Sequence, residues 1–260
     1  VKMIGVVDDD FGEQNISMLK NHKIDISGLE IVEGEKTFSY GCVYREDMNI
    51  RDTLFTNLNV FEKFDPVIPE EMRSSEFLLL GNIMPSLQLK VLDQMTNVKF
   101  SVCDSMNLWI EIAKEDLLKV IKRVNVLVIN DSEAKMLAED SNLIRAAKKV
   151  LEMGPEYLII KKGEHGALLF GEGKIFSAPA FPLETVFDPT GAGDSFAGGF
   201  TGYLSKVNKI DFDSMKKAII NGSTLASFCV EKFSTKGIEN LSYEKLEKRY
   251  KDFIELGRVD

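Results

Sequence analysis

Histidine, cysteine and unbroken apolar sequence are what this chain has least of, and each shortage removes a class of chemistry. Among 260 residues only His22 and His165 are histidines, too few for a zinc cluster and a weak basis for a His-centred triad. Cys42, Cys103 and Cys229 are odd in number and widely spaced, so they read as buried reduced thiols of a cytosolic protein. No apolar run approaches the length that spans a bilayer and no secretory leader is visible, which leads us to expect a cytoplasmic protein with no membrane partner. Positive charge is also short: a formal net charge of -9 opposes nucleic acid as a partner but permits a small anion, whose site depends on local charge. The chemistry must therefore rest on carboxylates, lysine and backbone amides. Hydrophobic content of 44% and charged content of 28% fit an ordinary globular protein with one sizeable core and room for a small appended unit.

The run Asp188-Pro189-Thr190-Gly191-Ala192-Gly193-Asp194-Ser195-Phe196 supplies the amides and the carboxylate together. Phe196, Phe200, Tyr203 and Leu204 recur at helical spacing, so a helix is predicted to start near Gly193. Glycines let the chain turn sharply and let a ligand approach the amides, and the open N–H groups of a helix start favour an anion. Asp194 sets a possible proton acceptor beside that cradle. An Asp in a first helical turn more commonly caps the helix or offsets its dipole, but this string is longer than capping requires. It is not a Walker A loop, since G-x-x-x-x-G-K-[ST] occurs nowhere in the chain. Nor is it a dinucleotide fingerprint, because Phe196 stands where the third glycine would be.

Around this run the chain divides by periodicity. Lys2–Val7 reads as a buried strand and 12–20 as a helix. Residues 29–60 alternate apolar and polar positions through Leu29–Val32, Thr37–Tyr44 and Asp52–Thr56, which suggests a small antiparallel sheet with one wet face. From Phe77 onward, apolar runs at 77–80, 98–102, 126–129 and 157–160 alternate with helical patterns, as in a parallel sheet covered on both faces. The helix carrying Leu143, Ala147, Val150 and Leu151 has Asp140 or Ser141 as its expected cap, and a final helix is expected over 242–256 with Ser242 as cap. The expected division is a core of 1–28 and 61–260 with an appended sheet of 29–60. Polar residues follow the four runs in turn: Asn82, then Asp104 and Asn107, then Asn130 and Glu133, then Lys161 and Gly163. Ligands of open parallel sheets sit beyond the carboxyl ends of the strands, so these residues are expected at one edge with Asp194. Singly, each is also an ordinary turn or cap residue.

The D-P-T-G-A-G-D-S-F-A-G-G-F string resembles the second signature of the ribokinase (PfkB) family of carbohydrate and nucleoside kinases. The likeness extends from Val6-Val7-Asp8-Asp9-Asp10-Phe11-Gly12 to Lys236-Gly237. It implies a ribokinase-like three-layer α/β/α sandwich, with a mostly parallel sheet and residues 29–60 as a β-sheet lid over the acceptor. It implies Asp194 as general base and the amides of Gly191, Ala192 and Gly193 as the hole for the migrating phosphoryl group. Asn130-Asp131-Ser132-Glu133 matches the N-x-x-E motif, with Glu133 holding Mg²⁺ through water. Lys161, Gly163 and Gly166, with Asn130 and Thr190, would border ATP; Asn221 or Ser223 would touch its base or ribose, although Gly222 between them equally suggests close helix packing. Asn82 and Asp104 would face the acceptor. Ser234-Thr235-Lys236-Gly237 looks like the loop that binds a monovalent cation in many relatives, and an exposed lid could pair two chains. Relatives usually carry an earlier strand, a substrate-binding Asp and a glycine pair before Val1; their absence here suggests a truncated sequence rather than a divergent short form.

The implied reaction is phosphorylation of a hydroxyl on a small sugar or sugar-like acceptor. A nucleoside acceptor is the first alternative, with Phe38, Tyr40, Tyr44 and Phe55 available for an aromatic slot, and a catalytically silent nucleotide-binding regulator is the second.

Overall fold

The computed structural model describes residues 1–49 and 51–258. In chain order the elements are β1 (Lys2–Asp8), α1 (Gly12–Asn21), β2 (Asp25–Val32), β3 (Ser39–Tyr44), β4 (Arg51–Asn57), α2 (Glu70–Arg73), β5 (Phe77–Leu80) and α3 (Pro85–Gln94). They continue as β6 (Phe100–Asp104), α4 (Asn107–Ile112), α5 (Lys114–Ile121), β7 (Val126–Asn130), α6 (Asp131–Ala138), α7 (Leu143–Glu152) and β8 (Tyr157–Lys161). The last are β9 (Ala167–Gly171), β10 (Lys174–Ala178), α8 (Ala192–Val207), α9 (Phe212–Cys229) and α10 (Tyr243–Leu256). The chain divides into two compact units, Val1–Ser75 with Lys90–Asn97, and Glu76–Leu89 with Val98–Asp260.

The larger unit carries a six-stranded sheet in the order β10-β9-β8-β7-β6-β5. Strands β5 to β8 run parallel, while β9 and β10 return antiparallel. The runs that read as buried strands are buried: Val126, Leu127, Val128, Leu158, Ile159 and Ile160 are fully enclosed. Alternation splits them between two helical layers. Val126, Val128 and Ile159 join Phe196, Phe200, Met215, Ile219 and Phe253 in one cluster under α8, α9 and α10. On the other side α6 and α7 lie on β7 and β8, with α4 and α5 beside them. Each such aliphatic side chain contributes roughly 1.5–3 kcal/mol by leaving water, which is what makes this sheet the rigid floor of the unit.

The smaller unit departs from the expected antiparallel sheet. Residues 29–32 belong to β2, which pairs in parallel with β1, so the antiparallel sheet is β3 with β4 alone. Residues 1–28, expected with the large core, cluster instead with the segments up to Ser75. The parallel pairing is anchored at its end by Asp8, whose Oδ2 accepts the Glu35 N–H at 2.8 Å while its own N–H donates to Thr37 Oγ1 at 2.9 Å. Every residue of β4 is exposed, Leu54 and Phe55 included.

Two local expectations also change. The cap of α7 is Asn142, not Asp140 or Ser141: its Oδ1 accepts from the Ile144 and Arg145 amides, both at 3.1 Å. Asp140 is taken by the Arg145 guanidinium and by the Asn142 N–H, so its carboxylate orients the turn rather than the helix. Of the cysteines, Cys103 and Cys229 are buried but Cys42 is half-buried, on a strand of the two-stranded sheet rather than in the six-stranded core. The cap at Ser242 is present, its Oγ accepting the Lys245 N–H at 3.3 Å. Among the described residues no helix is long and apolar enough to cross a membrane.

Helices α8 and α9 approach closely enough that glycine is required at their crossing. A Cβ on Gly222 would lie 2.5 Å from the Phe196 carbonyl oxygen, and one on Gly199 would lie 2.9 Å from the Gly222 Cα. Gly222→Ala should therefore lower unfolding free energy by about 1–3 kcal/mol, read as a reduced urea midpoint at unchanged slope. Gly198→Ala, whose Cβ meets nothing within 4 Å, is the control and should gain up to about 1 kcal/mol. Equal midpoints for the two variants would show that the helices can separate freely.

Candidate active site

Parallel strands place their carboxyl ends side by side, and here those ends carry the polar residues. Asp104 closes β6, Asn130 closes β7 and Lys161 closes β8, with Asp104 paired to Val128 and Asn130 paired to Lys161 in the ladder. Gln88 of α3 is fully buried and ties two of these ends, donating from Nε2 to Gly81 O at 2.8 Å and to Asp104 O at 3.2 Å. Asn82 lies just past β5, where its Oδ1 accepts the indole N–H of Trp109 at 2.8 Å.

The glycine run opens α8 as its composition predicts, one residue before Gly193. Gly191 adopts φ 80°, a conformation that favours glycine, and its carbonyl accepts the Ser195 N–H at 2.8 Å. Upstream, Asp188 clamps the turn: Oδ1 accepts the Thr190 N–H at 3.0 Å and Oδ2 accepts the Ser234 N–H at 3.2 Å. Burial pushes the Asp188 carboxyl up, but the Thr190 side chain and amide, with the Ser234 amide, hold it below the usual carboxylate range. No side chain caps α8. The Ala192 N–H donates to Pro189 O at 3.1 Å, so the expected three-amide cradle reduces at rest to Gly191 and Gly193, with the Asp194 amide adjoining. Asp194 is exposed, and no hydrogen bond or ion pair among the described residues engages its carboxylate.

Facing this turn is a buried ion pair. Lys161 Nζ lies 3.0 Å from Asp104 Oδ1, with side-chain exposures of 22% and 9%. Nζ also lies 3.0 Å from where a Cβ on Gly193 would stand, so the ammonium rests against the backbone of the first turn of α8. Burial pushes the Asp104 carboxyl up, Lys161 pulls it back, and the negative charge of Asp194 raises it again. Asp104, Lys161, Gly193 and Asp194 thus form one electrostatic group. Beside Asp104, Ser105 Oγ is buried with no hydrogen-bond partner among the described residues.

The other expected residues lie as follows. Asn130 and Glu133 form a capping box on α6: Asn130 Oδ1 accepts the Glu133 N–H at 2.8 Å, and Glu133 Oε2 accepts the Asn130 N–H at 2.7 Å. Gly163 and Gly166 bracket the turn from β8 to β9, with φ of 53° and 81°. Asn221 and Ser223 are half-buried on α9 on either side of Gly222, whose packing against Phe196 is the structural role anticipated for it. Ser234–Gly237 is a short 3-10 turn tied to Asp188. No group of three or more His, Cys, Asp or Glu residues among the described ones could hold a metal ion by itself. The oxygen donors Asn130 and Glu133 fit a hard cation that keeps most of its waters and leans on phosphates, as Mg²⁺ does. Sequence reasoning gave no role to Asp188, Gln88, Ser105 or Trp109. The Asp-Pro at the head of the glycine run was a signal for the first; the others carry none.

Comparison with known proteins gives the family and the fold. The pattern described as pfkB family carbohydrate kinase matches residues 1–240. A cytidine kinase of Thermococcus kodakarensis is 31% identical over 211 residues, spanning 79% of this chain and 74% of the relative. Among solved structures, the Methanocaldococcus jannaschii nucleoside kinase, an archaeal member of the ribokinase family, superposes with a TM-score of 0.76 at 23% identity, covering 96% of this chain and 80% of that one. A ribokinase II from E. coli in complex with ATP and Mg²⁺ superposes with a TM-score of 0.75 at 23% identity, covering 98% and 83%. The two superpositions show a shared ribokinase fold.

The capping box makes a stability prediction separate from catalysis. Asn130→Ala should lower unfolding free energy by about 0.5–2 kcal/mol, whereas Asn130→Asp, an equally good cap, should stay close to the parent. Chemical denaturation of the three proteins measures this, and an undiminished midpoint for the alanine variant would remove the cap's structural role.

Proposed function

The chain belongs to the pfkB family of carbohydrate kinases, and from that premise we propose that it transfers the γ-phosphoryl group of ATP to a hydroxyl of a small sugar or sugar-like acceptor. The supporting observation is the unengaged Asp194 carboxylate in the first turn of α8, beside amides that no side chain caps. In this reading Asp194 accepts the hydroxyl proton as the acceptor oxygen attacks phosphorus. The Gly191 and Gly193 amides hold the phosphoryl oxygens, and Ala192 joins them by exchanging Pro189 O for a phosphate oxygen. Asn82 and Asp104 orient the acceptor. Asn130, Lys161, Gly163, Gly166 and Thr190 border the nucleotide phosphates, and Asn221 and Ser223 lie toward its ribose and base. Mg²⁺, when bound, neutralises charge on the phosphates, and Glu133 with Asn130 would hold it through water. A monovalent cation at Ser234–Gly237 would lie beside the Asp188 carboxylate, which is hydrogen-bonded to that loop.

One observation favours a nucleoside as the acceptor: the relative that is 31% identical is a cytidine kinase. A nucleobase needs a flat apolar partner, and the half-buried indole of Trp109, oriented by Asn82 beyond the ends of β5 and β6, has that shape. We further propose that the β3–β4 hairpin pairs two copies of the chain. A lone two-stranded ribbon is marginal in water, and Val43, Leu54 and Phe55 are all about half or more exposed on this one.

Asp194→Asn should leave ADP and ATP affinity within a few-fold while reducing turnover by about 10² or more. Coupled ADP-release assays and calorimetry measure the two quantities, and near-normal turnover by the variant would defeat the base assignment. In the same assay, ribose and fructose tested against cytidine, uridine and adenosine decide the acceptor class. For the hairpin, Leu54→Lys should shift sedimentation from dimer to monomer; an unchanged mass would reject that pairing.

A further inference from the structure

The buried pair of Asp104 and Lys161 has no evident value for stability. Removing both charges from water is costly, and such a pair seldom outperforms well-packed apolar residues. Its surroundings make it stranger. The ammonium of Lys161 rests against Gly193, at the end of α8 where the helix dipole is positive, so cation and dipole repel. The residue at 193 leaves this contact open: a side chain there would start 3.0 Å from Nζ. The ammonium is thus paired with the Asp104 carboxylate and packed against a helix start, a kind of site that favours anions, with the Asp194 carboxylate in the same turn. An anion at the α8 amides would meet the ammonium as well, and would relieve the repulsion between them.

We propose that Lys161 is a catalytic residue that changes partner during the reaction: its ammonium is held by Asp104 while the α8 amides are unliganded, and donates to the migrating phosphoryl group once that group is seated on them. This rests on the kinase reading above and goes beyond it, since there Lys161 only borders the nucleotide. In the step itself the acceptor O–H proton passes to Asp194 and the acceptor oxygen forms its bond to γ-phosphorus. The bond from γ-phosphorus to the bridging oxygen breaks, and its electron pair leaves on ADP. Lys161 transfers no proton; it supplies positive charge where negative charge spreads over the equatorial oxygens. The exchange also frees Asp104 to accept a hydrogen bond from a neighbouring hydroxyl of the acceptor. Nucleotide arrival and acceptor grip are thereby coupled through one side chain.

Four proteins test this: the parent, Lys161→Met, Asp104→Asn and the double variant, each checked for a cooperative thermal transition. The double variant removes both buried charges together, so it remains informative if a single variant fails to fold. Lys161→Met should lower kcat by about 10²–10³ with KM for ATP within a few-fold, the scale of losing one preorganised donor. The double variant should fall below Asp104→Asn by a similar factor. Calorimetry gives a readout independent of turnover: ADP with magnesium and aluminium fluoride, which mimics the migrating group, should bind the parent much more tightly than ADP alone. That preference should shrink about 10²-fold in Lys161→Met and in the double variant. If the double variant is no slower than Asp104→Asn, or if the fluoride preference survives without Lys161, the lysine merely neutralises Asp104 and the proposal is wrong. A parent protein that releases ADP from ATP with none of the acceptors above would instead overturn the kinase reading; an active parent with an undiminished Lys161→Met variant overturns this inference alone.

Discussion

The proposed chemistry depends on one condition, that the first turn of α8 carries amides no side chain caps. Side-chain oxygens of Asn130, Asn142, Asp211 and Ser242 cap α6, α7, α9 and α10, whereas α1, α2, α4, α5 and α8 have no side-chain cap. At α8 the residue in that position is Gly191, which has no oxygen to offer. Asp188, the nearby carboxylate that could have reached forward, is instead occupied by the Thr190 and Ser234 amides. The turn is thus held rigid from behind while its forward donors stay open. In the proposed reaction this is the preorganisation that would make fixed dipoles effective against a developing negative charge.

The larger unit supplies the rigidity this arrangement needs. Strands β6, β7 and β8 are enclosed on both faces, so their ends are positioned to the accuracy of a packed core. Helix α8 is set against the sheet through Phe196, Phe200 and Leu204, and against α9 through the Gly199–Gly222 approach. The residues that stand at the site therefore come from four separate elements whose spacing cannot vary independently. Burial at the edge of the site also has an electrostatic consequence. Desolvation raises the Asp104 carboxyl, Lys161 at 3.0 Å pulls it back, and the nearby charge of Asp194 raises it again.

The glycine run and the N-x-x-E box carry the family resemblance, and other side chains stand at the same edge of the sheet. Gln88, fully buried, joins the ends of β5 and β6 through main-chain carbonyls. Ser105 Oγ is enclosed without a partner next to Asp104, where an acceptor hydroxyl could satisfy it. Trp109 is held by Asn82 at the same edge. In the proposed reaction they would put polar and aromatic recognition on the β5–β6 side and phosphate chemistry on the β7–β8 side, a separation suited to bringing two substrates together.

The sequence alone determined the elements whose signal is local. Continuous apolar runs marked β5 to β8, helical spacing marked α8, and the glycine string marked the turn that opens it, because each follows from which neighbouring residues must be buried or bent. Pairing partners were not legible in this way. Residues 29–32 alternate as a half-exposed strand would, and nothing local reveals that their partner is β1 in parallel rather than a hairpin neighbour. Strands β9 and β10 were missed for the same reason, since Ala167–Gly171 and Lys174–Ala178 are short and acquire their identity from β8. The ion pair of Asp104 and Lys161 spans 57 residues of sequence, and its contact with Gly193 a further turn of the fold. Only the tertiary structure could decide that these charges share one buried site, because a burial pattern records how much water a residue loses and not which distant group replaces it.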